Sequence, residues 1–213
     1  MTSKRHTLAE SGSRSPEPAR PATAADRELP PAVLEAVRDA VLAVGVRRTT
    51  LTDVARRAGV SRMTLYRLVP DVETLLLEVM TREFAALVDS VESAAGRRRT
   101  ARARLVTVVV EVVRQLPEQP LFRRVLDVDP ELLAPYVTDR LGATQRIALG
   151  HLRRLIREGH ADGSVRRADP DVMATDLLVI ATSCVVSARL LAGVGTDRAL
   201  AELRRGLEGW VRP

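Results

Sequence analysis

From Pro31 onward, apolar residues recur every three or four positions, which is the period of an α-helix. The first segment of this kind places its apolar residues on one helical face, at Val33, Leu34, Val37, Ala40, Val41 and Val44. No segment combines alternating hydrophobicity with closely spaced turn signals, the pattern of a β-sheet protein. The sequence therefore predicts an all-α protein of one or two domains.

Capping residues and helix breakers divide the pattern into helices. Pro31 suits a first turn and Gly45 a C-terminal cap, while Gly59 and Pro70 end two short helices that begin after Thr50 and Ser61. Further helices are predicted for residues 71–93, 101–116, 120–127, 135–158, 170–192 and 196–211, the last with Thr196 as its N-cap. In the helix over 135–158 the inward positions are Val137, Leu141, Ala148, Leu152, Leu155 and Ile156, and a loop follows over 159–163.

Residues 101–116 contain a β-branched run that a buried strand also favours. The segment is about 16 residues long, longer than most strands, and lies between Thr100 and Pro117. Its length favours a helix that is buried nearly all round.

The N-terminal residues 1–29 are poor in large apolar side chains and rich in Ser, Pro, Ala, Arg and Glu, which predicts a disordered tail. Its basic residues either contact DNA phosphates or are simply solvated: Lys4, Arg5, Arg14, Arg20 and Arg27. Neither a signal segment nor a long uncharged apolar run is present, so a soluble cytoplasmic protein without a membrane partner is expected.

Cysteine and histidine are too scarce for a disulfide framework or a structural zinc site. The chain has one cysteine, Cys184, and three histidines, His6, His151 and His160. It also lacks a paired Glu-x-x-His motif, a Gly-rich phosphate loop and a G-x-S-x-G motif. Cys184 is expected to be a buried structural thiol. The sequence predicts neither an enzyme nor a bound cofactor or metal.

Residues 50–76 carry the most informative pattern, two short helices joined by a glycine-containing turn. On a helical wheel, the second short helix presents one exposed arc formed by Arg62, Met63, Tyr66 and Arg67. Its largely aliphatic arc, with Thr64, Leu65, Leu68 and Val69, faces inward. Residues 46–67 contain six arginines and one acid, Asp53. The pattern is typical of a helix-turn-helix with a basic reading surface, although a helical hairpin with a solvated basic face has the same features.

Residues on and beside this exposed arc are the candidates for DNA contact. Arginine can bind a guanine edge or a phosphate, hydroxyl groups can donate to phosphate oxygens, and a helix N-terminus favours an anion. The candidate DNA-binding residues are Thr50, Thr52, Ser61, Arg62, Met63, Thr64, Tyr66 and Arg67.

This segment resembles the DNA-binding signature of the TetR/AcrR family of transcriptional regulators. The matching features are Thr50, Val54–Ala55, Ala58–Gly59–Val60–Ser61, Thr64–Leu65–Tyr66, and the start of the next helix with Asp71, Glu73 and Leu75. The match covers residues 31–76, and the rest of the chain agrees in being helical and of suitable length. Family members commonly carry a phosphate-contacting lysine where this chain has Val72, so phosphate contacts are expected to rely on Arg47, Arg48 and Arg67.

The resemblance implies a homodimeric repressor with a three-helix DNA-binding domain at 30–76 and a helical effector-binding and dimerisation domain at 77–213. It also implies that the fourth helix links the two domains and that the last two long helices form the dimer interface. A palindromic double-stranded operator released by a small-molecule effector is then expected. The alternative is a helix-turn-helix protein that a protein partner, rather than a ligand, controls.

The last helix carries a narrow apolar seam formed by Leu200, Leu203, Leu207 and Trp210. Gly206 and Gly209 lie beside it and leave room for the close approach of another helix. The seam is assigned to the dimer interface, with an internal core contact as the alternative.

Polar residues on otherwise apolar helices are the candidates for the effector site. They are Thr107, Glu111, Gln115, Thr144, His151, Ser183 and Ser187, each of which backbone groups or water can also satisfy. Because aromatic residues make up only 2% of the chain, the cavity wall is expected to be aliphatic and to suit an apolar or amphipathic ligand.

Overall fold

A computed structural model describes residues 29–96, 98–134 and 141–213 of the chain. Every regular element within these ranges is a helix, which confirms the all-α prediction. The α-helices are α1 (Pro31–Val44), α2 (Leu51–Ala58), α3 (Arg62–Leu68), α4 (Val72–Ala95), α5 (Ala101–Gln115), α6 (Pro120–Val128), α7 (Ala143–Ala161), α8 (Pro170–Val186), α9 (Ala188–Gly193) and α10 (Thr196–Val211). Short 3-10 turns at Leu116–Glu118 and Pro130–Leu132 follow α5 and α6. No helix in the described ranges is long and apolar enough to cross a membrane.

Side-chain caps begin the helices at the positions that the sequence predicts. Thr50, Ser61, Asp71, Thr100 and Asp169 each accept a hydrogen bond from a backbone N–H in the first turn of the helix that follows. Gly59 adopts the left-handed conformation, with φ 67°, where α2 ends. These groups satisfy backbone donors and acceptors that a helix end leaves unpaired.

The structure places both ends of α7 differently from the sequence prediction. The predicted start, with Val137, falls at residues 135–140, outside the described residues, and α7 begins at Ala143. The Gln145 side chain accepts from the Gly142 N–H at 3.1 Å, which fixes this start. Leu141 precedes the helix and is exposed, so its predicted inward position is wrong. At the other end, α7 continues through Gly159 to Ala161, where a loop was predicted.

The predicted helix over 170–192 is broken at Ser187, which separates α8 from α9. The break comes directly after two β-branched valines, at a serine, and these residue types lose side-chain freedom in a helix or compete for its hydrogen bonds. Thr196 is the first residue of α10 rather than its cap, because Gly195, with φ 93°, occupies the cap position. Residues 1–28 of the predicted tail lie outside the described residues. Leu29, the last residue of the predicted tail, is buried and belongs to the fold.

Two hydrophobic cores organise the molecule. The first contains α1, α2, α3 and the start of α4, together with Leu121 and Val125 of α6. The second contains the end of α4 with α5, α7, α8 and α10. Helix α4 contributes to both, through Leu75 and Leu76 in the first core and Leu87 and Val91 in the second. It therefore connects the two cores as a single element.

We expect Gly159→Ala to destabilise the protein. An alanine Cβ at this position would lie 2.3 Å from Val165 Cγ2, and Val165 is buried. Overpacking of this kind costs about 1–3 kcal/mol of unfolding free energy, measurable by urea denaturation.

The matched control is Gly150→Ala in the same helix, where a Cβ would meet nothing within 4 Å. Relief of glycine's low helix propensity should stabilise this variant by up to about 1 kcal/mol. Equal stability of the two variants would contradict the close contact with Val165.

Candidate functional site

The α2–turn–α3 unit is held from inside by a few buried side chains. Leu51, Val54, Ala55 and Leu65 are buried in the first core. The Val60 N–H donates to the Ala55 carbonyl oxygen at 3.0 Å across the turn at Gly59. These contacts fix the angle between the two helices and leave one side of α3 uncovered.

The uncovered side of α3 is the arc predicted from the sequence. Arg62, Met63, Tyr66 and Arg67 are exposed, with 71% exposure for Met63 and 52% for Tyr66. On the opposite side Leu65 and Val69 are buried, while Thr64 and Leu68 are half-buried. The predicted orientation of α3 is therefore confirmed, and a large thioether and an aromatic ring stand beside two arginines at the surface.

Among the candidate DNA-binding residues that carry a hydroxyl group, Thr50 and Ser61 cap the helices that follow them. The Thr50 hydroxyl accepts from the Asp53 N–H at 3.1 Å, and Ser61 Oγ accepts from the Thr64 N–H at 3.0 Å. The Ser61 and Thr64 hydroxyls lie 2.8 Å apart in a shared hydrogen bond. A hydroxyl that accepts still has its own hydrogen to donate, so capping is compatible with a contact to phosphate.

Asp53 organises two of the basic residues on α2. Its carboxylate accepts from Arg57 Nε at 2.7 Å and also from Arg56. Hydrogen bonds from Arg57 and then Arg56 hold the pKa of Asp53 below its ordinary value. Part of the local positive charge is thus balanced within α2.

Arg47, expected to serve a DNA phosphate, points instead toward the turn after α6. Its Nε donates to Glu131 at 3.1 Å and lies 3.3 Å from Asp129 Oδ1. The hydrogen bond and charge of Glu131, followed by the charge of Asp129, raise the pKa of Arg47. The sequence contains no local signal for this contact, because its partners are far apart along the chain.

A second feature is a cavity of about 860 Å³ between α4, α5, α6, α7 and α8. Its wall is largely aliphatic, with contributions from Leu77, Val108, Val112, Leu152 and Leu178. Both phenylalanines of the chain, Phe84 and Phe122, also line it, so the predicted aliphatic wall is partly aromatic.

Only two of the predicted effector residues, Thr144 and His151, line this cavity. The other five predictions are wrong for the cavity wall: Thr107, Glu111, Gln115, Ser183 and Ser187. Thr107 accepts from Arg204 at 3.3 Å toward α10, and Glu111 accepts from Arg114 and Gln115 on one side of α5. Ser183 is exposed, and Ser187 lies at the break between α8 and α9.

Helix α4 contributes polar lining residues that the sequence reasoning missed. Thr74, Glu78 and Thr81 recur at helical spacing and all line the cavity. Glu78 pairs with Arg82 at 2.7 Å, and Glu83 pairs with Arg38 at 2.7 Å, so both lining carboxylates are balanced. The recurrence of these polar residues along one face of α4 was the sequence feature that could have indicated this site.

The apolar seam of α10 faces the protein's own core. Leu200 and Leu207 are buried in the second core, and Leu203 and Trp210 pack against it. Arg166 covers the Trp210 ring, 4.7 Å from its centroid. Leu200 and Leu207 are already covered by α5 and its neighbours, so their assignment to the dimer interface is wrong, whereas for the half-buried Leu203 and Trp210 it stays a prediction. For Leu200 and Leu207 the alternative, an internal contact, is correct.

A different apolar surface remains uncovered on α8, α9 and the residue that follows α9. Large hydrophobic side chains are exposed there, at Val172, Val179, Val186, Leu190 and Val194. Such a concentration is uncommon on the surface of a monomeric soluble protein. We refer to these five residues as the outer valine face.

No family model matches the chain. The chain is 34% identical over 180 residues to an uncharacterized HTH-type transcriptional regulator of Mycobacterium bovis. The aligned segment covers 84% of this chain and 92% of the relative. An uncharacterized HTH-type regulator of Mycobacterium tuberculosis matches with the same identity and coverage. Such relatives are regulators and not enzymes.

Solved structures share the fold. The repressor QsdR of R. erythropolis, from the TetR family, aligns with a TM-score of 0.62 and 21% identity, over 85% of this chain and 94% of that chain. RolR in complex with resorcinol gives a TM-score of 0.65 at 16% identity, over 84% and 85%. FadR of Bacillus subtilis in complex with stearoyl-CoA gives 0.57 at 14% identity, over 84% and 95%. The chain therefore belongs to the helix-turn-helix transcriptional regulators and has the fold of the TetR family.

Proposed function

We propose that this protein is a cytoplasmic repressor that binds a palindromic operator as a homodimer and is released by a small molecule. Residues 30–76 form its DNA-binding domain and residues 77–213 its effector-binding and dimerisation domain. The single observation that carries the proposal is the exposed arc of α3, with Arg62, Met63, Tyr66 and Arg67 at the surface above the buried Leu65.

On this arc, Arg62 and Arg67 would read base edges in the major groove, and Met63 could meet a thymine methyl group. Thr50, Thr52, Ser61, Thr64 and Tyr66 would contact phosphates and set the register. The capped start of α2 adds free N–H groups that favour a phosphate. Selection of binding duplexes from a random pool by the full-length protein tests this role, and we call the recovered DNA the selected duplex.

A second copy is proposed to cover the outer valine face. Val172, Val179 and Val186 recur at intervals of one heptad on α8, and α10 offers exposed Gly206 and Gly209 whose Cβ positions are open. This assignment keeps the predicted interface segments 170–192 and 196–211. Within them, the outer valine face takes the place of the buried Leu200 and Leu207. Twofold symmetry would place two copies of α3 about one DNA turn apart.

The cavity is the proposed effector site. Its mostly apolar wall, two phenylalanines and a few threonines suit an apolar or amphipathic molecule. RolR with resorcinol and FadR with stearoyl-CoA are solved ligand complexes of the same fold. Because α4 lines the cavity and begins directly after α3, a ligand that prefers one tilt of α4 would change the spacing of the two DNA-binding domains of the dimer, residues 30–76 of each copy, which we call the heads.

We expect a ligand that fills the cavity to raise the melting temperature and to lower affinity for the selected duplex about 5- to 150-fold. Ala181→Trp, which fills part of the cavity wall, should abolish both effects while DNA binding persists. A thermal-shift screen followed by DNA titration measures both.

Ala94→Trp on the exposed side of α4 is the control and should respond to the ligand as the unmodified protein does. A ligand that binds the cavity with unchanged DNA affinity would contradict the proposed release. Control by a protein partner would then be the better explanation.

A further inference from the structure

Asp129, at the end of α6, is a buried carboxylate that binds the backbone of the DNA-binding head. The residue is 1% exposed, and its Oδ2 accepts from the Val46 N–H at 3.1 Å. Val46 lies in the turn between α1 and α2. Burying a carboxylate is unfavourable unless partners compensate for lost hydration, so this contact is a specific one.

The same carboxylate also faces Arg47, the next residue of the turn. Among the residues that the structure describes, Asp129 Oδ1 has no hydrogen-bond partner, and it lies 3.3 Å from Arg47 Nε, where charge attraction stabilises it. Glu131 accepts a hydrogen bond from Nε of the same guanidinium at 3.1 Å. Two consecutive residues of the turn are thus held by one short acidic segment after α6.

The turn passes this restraint on to the start of α2. Thr49 is buried and its hydroxyl donates to the Gly45 carbonyl oxygen at 2.8 Å, which makes the turn compact. Thr50, the next residue, caps α2 through the Asp53 N–H. The position of Asp129 therefore fixes where α2 begins relative to the effector-binding part of the protein.

Helix α6 and the turn after it also border the effector cavity. Leu121 and Val125 are buried in the core of the head, whereas Phe122 of the same helix lines the cavity. Leu133, just after Glu131, packs against the head and lines the cavity as well. The acidic segment thus connects the turn of the head with the cavity wall by a route separate from α4.

We propose that Asp129 is a positioning residue for DNA binding, which acts by anchoring the Val46–Arg47 turn so that the head keeps a fixed orientation. This role rests on the proposed function, in which two heads of a dimer must match the spacing of a palindromic duplex. Glu131 supports the anchor by holding Arg47. Neither acid contacts DNA.

Loss of the anchor should affect binding that depends on the spacing of two heads. Asp129→Ala is expected to lower affinity for the selected duplex about tenfold, within the range of coupling between distant sites. Binding to duplexes of unrelated sequence, which relies on phosphate contacts of each head, should stay the same. The slope of log affinity against log salt should also stay the same, because no phosphate contact is lost.

The experiment compares full-length Asp129→Ala with Asp127→Ala on both kinds of duplex across a salt series. Asp127 lies two residues earlier, on α6, and pairs with Arg189, so its variant removes a carboxylate without touching the head. Hydrogen exchange at the Val46 amide reports the anchor directly and should accelerate only in Asp129→Ala. Arg47→Gln, at an exposed side chain, is a second variant that should fold normally and lower affinity for the selected duplex with an unchanged salt slope.

Unchanged affinity of Asp129→Ala for the selected duplex would overturn the positioning role, as would an equal loss on unrelated duplexes. A salt slope reduced by about 0.9 in Arg47→Gln would mean that Arg47 contacts a phosphate itself, and would also overturn it. If the unmodified protein selects no duplex, the proposed function fails and this role fails with it.

Discussion

Replacing Val179 and Leu190 together by glutamate should yield a folded monomer that no longer holds the selected duplex. Both side chains are exposed in the single chain, so the substitutions disturb no internal contact, yet in the proposed dimer they would bury unpaired carboxylates. A single head keeps only one half-site. Loss of the second, tethered half-site should lower affinity by about 100- to 10,000-fold. Light scattering and DNA titration measure the two effects.

The control is Ala86→Glu with Ala94→Glu, which adds the same charge at two exposed positions on α4. That variant should stay dimeric and retain most of its affinity, with a small loss from long-range repulsion. A monomeric unmodified protein at micromolar concentration would contradict the dimer outright. So would a Val179→Glu, Leu190→Glu variant that remains dimeric, because the interface would then lie elsewhere.

Arg62→Ala and Arg67→Ala should each cost about 1–3 kcal/mol of binding free energy for the selected duplex and relax its sequence preference. Both side chains lie on the exposed arc of α3, and arginine is the side chain that makes bidentate contacts to a guanine edge. The loss should be smaller on unrelated duplexes, because base contacts contribute little there. Fluorescence anisotropy on both kinds of duplex at fixed salt measures the difference.

Arg114→Ala removes the same charge from α5, where the guanidinium pairs with Glu111, and serves as the control. Its affinity should remain close to that of the unmodified protein. If the two α3 variants bind the selected duplex as this control does, the arc is not the reading surface.

The helix-turn-helix could be predicted from the sequence because its determinants are local. Thr50 and Ser61 cap helices within their own first turns, and Gly59 ends α2 through its own backbone conformation. The exposed arc of α3 follows from periodicity over seven residues once Leu65 is placed inside. None of these features depends on a distant part of the chain.

The packing of the C-terminal part was less predictable, because the sequence pattern shows that a helix face is buried but not which element covers it. The stripe of Leu200 and Leu207 indicates that α10 buries one face, but periodicity is the same whether the cover is α5 or a second copy. The polar residues of α5 were equally ambiguous, and Thr107 turned out to face Arg204. The contact of Asp129 with Val46 joins residues far apart in sequence, so only the tertiary fold reveals it.

A hydroxyl-radical footprint of the full-length protein on the selected duplex tests the central claim most directly. We expect two protected half-sites related by a twofold axis, with centres about one helical turn of DNA apart. The protection at base-reading positions should change in Arg62→Ala while the outer phosphate protection persists. A single unpaired protected site, or a pattern that Arg62→Ala and Arg67→Ala both leave unchanged, would contradict recognition of a palindrome by paired copies of α3.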